Sequence, residues 1–436
     1  MIRLLLAATA AFALATSATA QEKAEGTLSP NEIVAQAEAS DWVAIPAEDL
    51  LVMTLAPPDR GPGQASSAGN EWQVVIQLMP PPISEGWVEN IRTLARAGWY
   101  DGVSINRVQD NYVVQWGDPN VDNPEAEGEA KLLPEGLRVM AESEYLTSVD
   151  DIGNVDHHYP ATPIDPEVAA EQARKVAEAN TQLERAFSNP DATEADHETA
   201  VESFMQAVGL TRSDGVTEGD RIDMISISTT QTPRSVFGWH ERDSYAEWVE
   251  IYHGWPLANR EVGQWYDEDE KPVEDPRLLR HVAIEQGFYK DVEISEFWPV
   301  HCYGMVGVGR GYSPDTGSGA ELYTVIGHAP RHLDRNIALV GRVVEGIEHL
   351  SSLPRGKGAL GFYEDPSKRV PIESIRVASD LPAAEQPRFE YLSTDSEVFA
   401  RYADARANRR DPFFIEPAGG ADICNIPVPV RRVIAE

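Results

Sequence analysis

The segment Tyr112-Val113-Val114-Gln115-Trp116 alternates with a period of two, between Arg107 upstream and a Gly117-Asp118-Pro119 turn downstream. An extended strand sends Tyr112, Val114 and Trp116 to one face and Val113 and Gln115 to the other. One face can pack while the other lines a groove beside an obligate cation. The same period recurs upstream, where Trp72, Val74, Ile76 and Leu78 share one face until Pro80-Pro81-Pro82 ends the run. Between these segments Ser84 reads as a cap, Val88, Ile91 and Ala95 as one stripe and Gly98 as a stop, which predicts a helix. Further strands are expected at Trp42-Val43-Ala44-Ile45 and Leu51-Val52-Met53-Thr54-Leu55.

With 436 residues of 42% apolar composition, the chain is long enough for two or more domains with a sizeable core. Its net charge of −35 argues against nucleic acid, whose binding needs Lys and Arg to neutralise phosphates. Asp122 to Glu296 alone holds 39 acidic against 14 basic residues, a self-repelling solvated stretch without an Asp-x-Asp-x-Asp-Gly calcium loop. Met1-Ile2-Arg3, the apolar run Leu4 to Ala15 and Ala18-Thr19-Ala20 have the form of a secretory signal cleaved after Ala20. That run is too short to span a bilayer, and no later segment is continuously apolar, so the expectation is an exported, periplasmic protein with no membrane span after cleavage; a retained N-terminal anchor is the alternative. Cys302 and Cys424 then meet an oxidising compartment, where they form either a disulfide or two separate buried thiols.

Read together, Trp99-Tyr100-Asp101-Gly102-Val103-Ser104-Ile105-Asn106 and Arg107 to Pro119 resemble the cyclophilin family, whose pattern is Gly-Tyr-Tyr-Asp-Gly, then Phe-His-Arg-Val, then Phe-Met-x-Gln-Gly-Gly-Asp. His301 to Gly311 is similar to that family's Gly-x-Leu-Ser-Met-Ala-Asn, and Ser318 to Thr324 to its Gly-Ser-Gln-Phe-Phe-Ile. Leu333-Asp334 and Ala338 to Gly346 resemble its Leu-Asp and Phe-Gly-x-Val-x-Glu-Gly, with Val370 to Val377 as the closing strand. The resemblance implies a mainly β chain: a closed antiparallel β-barrel with flanking helices, interrupted by a large, partly helical acidic insertion. The expected organisation is a signal peptide (1–20), a first barrel part (42–119), the insertion (120–297), a second barrel part (298–380) and a C-terminal extension (381–436).

Within the insertion, Pro166 to Phe187 and Glu194 to Leu210 carry apolar residues at helical intervals around an Asn189-Pro190-Asp191 turn, which predicts a helical hairpin. The later part is rich in aromatics, with Trp239, Trp248, Tyr252, Trp255, Trp265 and Tyr266. Its ends fall where the family has a short link, so replacing it with a linker is expected to leave an active barrel. The resemblance places Cys302 at the barrel's edge. The tail after Leu381 shows no helix or strand long enough to dock by itself, so pairing with Cys424 would hold it.

The activity implied is peptidyl-prolyl cis-trans isomerisation. An X-Pro bond turns slowly because amide resonance sets a barrier of ~18–20 kcal/mol. Lowering it takes a seat for the proline ring and a fixed donor near the twisting amide, with no nucleophile, metal or organic cofactor. The resemblance assigns the donor to Arg107 and the backbone-positioning amide to Gln115, with Tyr112, Val113, Tyr323 and Leu333 lining the seat. It also places Glu321 where the family commonly has Gln, His332 where many members have Trp, Ile337 where many have His, and Asn106 where His precedes the arginine. The expected partners are Pro-containing segments of exported polypeptides. The rival reading is a cyclophilin-like chaperone or binding module that holds such segments with little turnover. Gly304, Gly307, Gly309 and Gly311 lack the helix and acidic residue of a dinucleotide site, and His157-His158 beside Asp156 point apart if extended, so neither is taken as a ligand site.

Overall fold

The computed structural model describes residues 28–56, 72–121, 128–148, 243–262 except 247, 293–410, 413–416 and 420–433, with single positions between 174 and 203. The expected signal, His157-His158 and most of the helical hairpin lie outside the described residues; the hairpin positions that are described, such as Arg174, Ala179 and Ala200, are helical.

The strands, in chain order, are β1 (Trp42–Ala44), β2 (Leu50–Leu55), β3 (Trp72–Leu78), β4 (Ser104–Val108), β5 (Val113–Gly117), β6 (Thr147–Ser148), β7 (Trp248–Tyr252), β8 (Trp255–Val262), β9 (Glu293–Pro299), β10 (Met305–Val308), β11 (Leu322–Val325), β12 (Leu339–Glu345), β13 (Val370–Val377), β14 (Phe389–Leu392) and β15 (Val430–Arg432). Eight of them close into a barrel in the order β10-β11-β5-β4-β13-β2-β3-β12. Every neighbouring pair in it is antiparallel. The alternating residues Val74, Ile76 and Leu78 of β3 and Val114 and Trp116 of β5 fill its interior with Ile105, Val308, Val340 and Ile372.

The helix between β3 and β4, Glu85–Arg96, buries Trp87, Ile91 and Leu94 in the same core. It stops as a left-handed glycine dictates: Gly98 has φ +63, Gly98 N–H donates to Ala95 O and Trp99 N–H to Leu94 O, which pairs the last carbonyls. Its start differs from the sequence reading. Ser84 sits at the N-cap with φ 52 and makes no side-chain cap bond, because its own backbone is left-handed and the residue is buried in the turn.

Residues 128–148, expected to open the insertion, return along this helix instead of leaving the barrel. Asn90 exchanges two bonds with the Arg138 backbone at 2.8 Å each, Tyr145 stacks on Trp87 at 5.4 Å, and Thr316 Oγ1–H donates to Met140 O at 2.8 Å.

The outer wall of the barrel is covered as well. Val75, on the outward face of β3, packs with Ile45, Leu50, Val52 and Phe389 beneath the three-stranded sheet β1-β14-β15. A second sheet, β6-β9-β8-β7, comes from the inserted part of the chain. Its Trp255, Leu257, Phe297 and Trp298 share one apolar cluster with Met305 and Leu339 of the barrel and Phe399 and Tyr402 of the tail. One apolar cluster thus joins residues from the inserted stretch, the barrel and the tail.

The tail also docks by its own elements, contrary to the sequence reading. Glu397–Ala407 is a helix, capped by Ser396 Oγ accepting from Phe399 N–H at 3.0 Å, with Phe399, Tyr402, Ala403 and Ala407 on one buried face. With Ala400, three of its five buried residues are alanine, which hides its amphipathicity in the sequence. Cys302 and Cys424 are joined, with Cα atoms 5.1 Å apart across 122 residues of sequence. Arg342, half-buried in this layer, lies 4.6 Å from the Trp255 ring and donates Nη1–H to Gly254 O at 2.7 Å and Nε–H to Gln77 Oε1 at 2.9 Å. Burial without a carboxylate lowers its pKa to about 10, so it stays charged at neutral pH.

Candidate active site

Four neighbouring strands put a single row of residues across the barrel's outer face. Arg107 of β4 stands opposite Gln115 of β5, Gln115 opposite Tyr323 of β11, and Tyr323 opposite Gly307 of β10. Opposed residues share a face of the sheet. Arg107 reaches that face through a bulge, since the β4–β5 register shifts between Ile105 and Arg107. The extra residue is Asn106, buried at 3% exposure, whose Oδ1 accepts from Ser104 Oγ–H at 2.6 Å and whose Nδ2–H donates to Gly117 O at 3.2 Å. Were Asn106 paired in an unbroken ladder, it would oppose Gln115, and Arg107 would oppose Val114 and face the core. The residue that stands in the family's histidine position is thus the bulged one, and the bulge turns the arginine outward.

The guanidinium of Arg107 is held on three sides. Nη1–H donates to Gln115 Oε1 at 2.7 Å, Nε–H to Leu360 O at 2.7 Å, and Nη2–H to Gln109 Oε1. The rings of Tyr112 and Phe362 lie 5.7 and 5.8 Å from its central carbon. Partial burial lowers its pKa, while Tyr112 and Glu321 oppose that shift. Gln115 is itself oriented, because its Nε2–H donates to Glu321 Oε1 at 2.6 Å. Room for Glu321 comes from Gly309, where a Cβ would stand 2.8 Å from the Glu321 side chain.

Beside the arginine lies an apolar patch of Val113, Tyr323 and Val325, with Tyr112 and Ile337 packed against it. Tyr112 differs from the strand reading, which grouped it with Val114 and Trp116. The strand begins only at Val113; Asn111 turns with φ +50, and Tyr112 follows the turn onto the outer side, its ring stacked on His332 at 6.4 Å. His332 is exposed and Leu333 half-buried on the short turn Arg331–Leu333. The structure thus brings Arg107, Tyr112, Val113, Gln115, Glu321, Tyr323 and His332 together.

Two parts of the site have no counterpart in the sequence reading. The first is Leu360 and Phe362, which come from a connection after β12 and meet Arg107 through its Nε–H and a bridge between Arg107 and Phe362. The glycines around it were the available signal: a Cβ at Gly361 would stand 2.8 Å from Gln109 Cα and one at Gly356 2.0 Å from Gly361 O, close approaches that only glycine allows.

The second is a buried polar chain behind Tyr323. Tyr323 lies over Gly307, where a Cβ would stand 2.3 Å from its hydroxyl, and that hydroxyl is 2.8 Å from Nε2 of His301. Nδ1 of His301 is 2.7 Å from Asp334 Oδ1, which also accepts the His301 backbone N–H at 3.0 Å. A carboxylate only accepts, so the proton sits on Nδ1 and the Tyr323 hydroxyl donates to Nε2. Asp334 Oδ2 accepts from Arg331 Nε–H at 2.6 Å, and Arg331 donates its two terminal nitrogens to Asp243 at 2.6 and 3.1 Å. Burial lowers the His301 pKa against the opposing pull of Asp334, and burial raises that of Tyr323 well above its ordinary value. Among the described residues no group of His, Cys, Asp or Glu is arranged to hold a metal ion, and no helix is long and apolar enough to cross a membrane.

Residues 74–159 and 262–377, just under half of the chain, match the family described as cyclophilin type peptidyl-prolyl cis-trans isomerase/CLD. The match starts later than the sequence motifs but runs into the expected insertion from both of its ends, to 159 and back from 262. Among solved structures, the cyclophilin AquaCyp293 from Hirschia baltica is similar at 18% identity, over 91% of this chain and 94% of that one, with a TM-score of 0.46. No curated protein matches.

Proposed function

Starting from a chain that carries a cyclophilin-type domain, we propose that the protein is a peptidyl-prolyl cis-trans isomerase acting on X-Pro bonds of exported polypeptides. The observation that carries this reading is the Arg107–Gln115–Tyr323 row, which sets a fixed cation beside an apolar seat on one open face of the barrel. A guanidinium carries two hydrogens on each terminal nitrogen, so one bond to Gln115 and one to Gln109 leave a second N–H on each to meet substrate. The bonds to Gln115, Gln109 and Leu360 fix the fork before substrate arrives, so no reorganisation is needed as the amide twists.

In this reading Val113, Tyr323 and Ile337 take the proline ring. Gln115 binds substrate backbone. Arg107 donates toward the prolyl amide as its nitrogen becomes pyramidal and its lone pair localises, an interaction stronger in the twisted state than in either planar isomer. No proton is transferred and no bond is broken. Export rests on the signal-like segment 1–20, and with it the periplasmic location.

The test is exchange spectroscopy on a panel of X-Pro tetrapeptides with the purified mature chain. Catalysed cis-trans exchange on at least one member supports the reading; saturable binding with no acceleration across the panel would replace it with a binding module.

A further inference from the structure

The inserted part of the chain meets the groove wall at Arg331. Asp243 and Tyr245 both meet Arg331, Asp243 through two hydrogen bonds with an ion pair at 2.6 Å, and Tyr245 by laying its ring 5.2 Å from the guanidinium carbon. The ion pair is nearly dry, with Arg331 and Asp243 side chains 4% and 3% exposed. Arg331 starts the short turn that carries His332 and Leu333, and its other side holds Asp334, which holds His301, which holds the Tyr323 hydroxyl. Each link is a hydrogen bond of 2.6 to 2.8 Å between buried groups. Removing one partner leaves a buried donor or acceptor of the next group without its bond, so the links are coupled.

We infer that Asp243 is a positioning residue for the proline seat: through Arg331, Asp334 and His301 it fixes both Tyr323 and the His332 turn, so the insertion sets how tightly the groove takes its substrate. This rests on the isomerase reading for its kinetic meaning. The chemistry follows from the two ends of the chain. Tyr323 and the His332 turn form the wall against which the proline ring and its neighbour would lie, whereas Arg107 is held by its own separate partners on β5 and the 359–362 connection. Loosening the wall weakens binding and leaves the catalytic fork in place.

The experiment is a double-mutant cycle with Asp243→Ala and Tyr323→Phe in the full chain, read by KM and kcat on an X-Pro tetrapeptide and by the imidazole nitrogen resonances of His301. Asp243→Ala is expected to raise KM roughly tenfold while kcat changes less than about twofold, and to shift the His301 resonances. In the Tyr323→Phe background, which lacks the terminal hydrogen bond, the same substitution should raise KM distinctly less. Asp243→Asn, which keeps the acceptor oxygen, should recover part of the loss, and serves in place of the alanine variant if that fails to fold. Unchanged KM and unchanged His301 resonances in a folded Asp243 variant would overturn the proposal, as would full additivity with Tyr323→Phe. If wild type shows no turnover at all, the isomerase reading fails, while the His301 resonances and the peptide dissociation constant still decide whether Asp243 sets the wall.

Discussion

Gln115 accepts from Arg107 with its carbonyl oxygen at 2.7 Å and donates from its amide nitrogen to Glu321 at 2.6 Å, so the carboxylate decides which way round the amide stands. A glutamine without that acceptor could turn its NH₂ toward the cation and lose the bond. Glu321→Ala is therefore expected to lower kcat/KM by roughly tenfold, the scale of one hydrogen bond to a charged group. Glu321→Gln, whose side-chain oxygen accepts the same bond, should stay within about threefold of wild type. Equal losses in the two variants would show that Glu321 acts by charge and not by orienting Gln115.

A second expectation concerns the shared outer core. Trp255 is 2% exposed in a cluster that joins the inserted sheet, the barrel and the tail, with the Arg342 guanidinium near its ring. Trp255→Ala should cost about 3–5 kcal/mol in denaturant unfolding, the range for emptying a buried aromatic site. Replacing residues 120–297 by a linker should yield a chain that aggregates or loses its cooperative melt, because Met305, Leu339 and Phe399 would lose their cover. A soluble, cooperatively melting deletion variant would contradict this.

The Cys302–Cys424 link closes a loop with a sequence separation of 122 and ties the tail to the segment just before β10. Cys424→Ser is expected to lose about 2–5 kcal/mol of stability. Mass spectrometry of unreduced peptides should find the two cysteines in one linked species; two alkylatable thiols would rule the bond out.

Stability should also depend on pH through His301. Burial holds its imidazole below its ordinary value of 6.5, so in the window from 6.5 down to its native value the folded chain binds fewer protons than the unfolded chain. Stability then rises with pH across that window and is lost as pH falls through it. Urea unfolding at about pH 7.5 and about pH 5.5 should show the decline, with the His301 ring titrating by NMR below the ordinary histidine value. A His301 ring already half protonated near 6.5 would contradict the buried, neutral assignment.

Much of the barrel is legible in the sequence because burial of one strand face imposes a period of two: Trp72 to Leu78 and Val113 to Trp116 announce themselves. Arg107 and Gln115 are visible as a motif for the same reason, since their spacing is fixed by one hairpin. The bulge at Asn106 is not, because a single extra residue changes register without changing composition. Leu360 and Phe362 meet Arg107 across more than two hundred and fifty residues of chain, a distance no local pattern encodes. The same holds for Asp243, one of many acidic residues in its region, and for the alanine-rich tail helix. What the sequence hides here is long-range pairing of ordinary residues.

The most direct measurement is the catalysed exchange rate of an X-Pro peptide with wild type and Arg107→Ala, alongside their unfolding curves. The arginine stabilises only the twisted amide in this account, so its loss should reduce kcat/KM by roughly 100- to 1,000-fold. The melting transition should remain cooperative, since the side chain lies on the outer face and not in the barrel core. An alanine variant that keeps full activity would contradict the assignment of Arg107 as the catalytic donor.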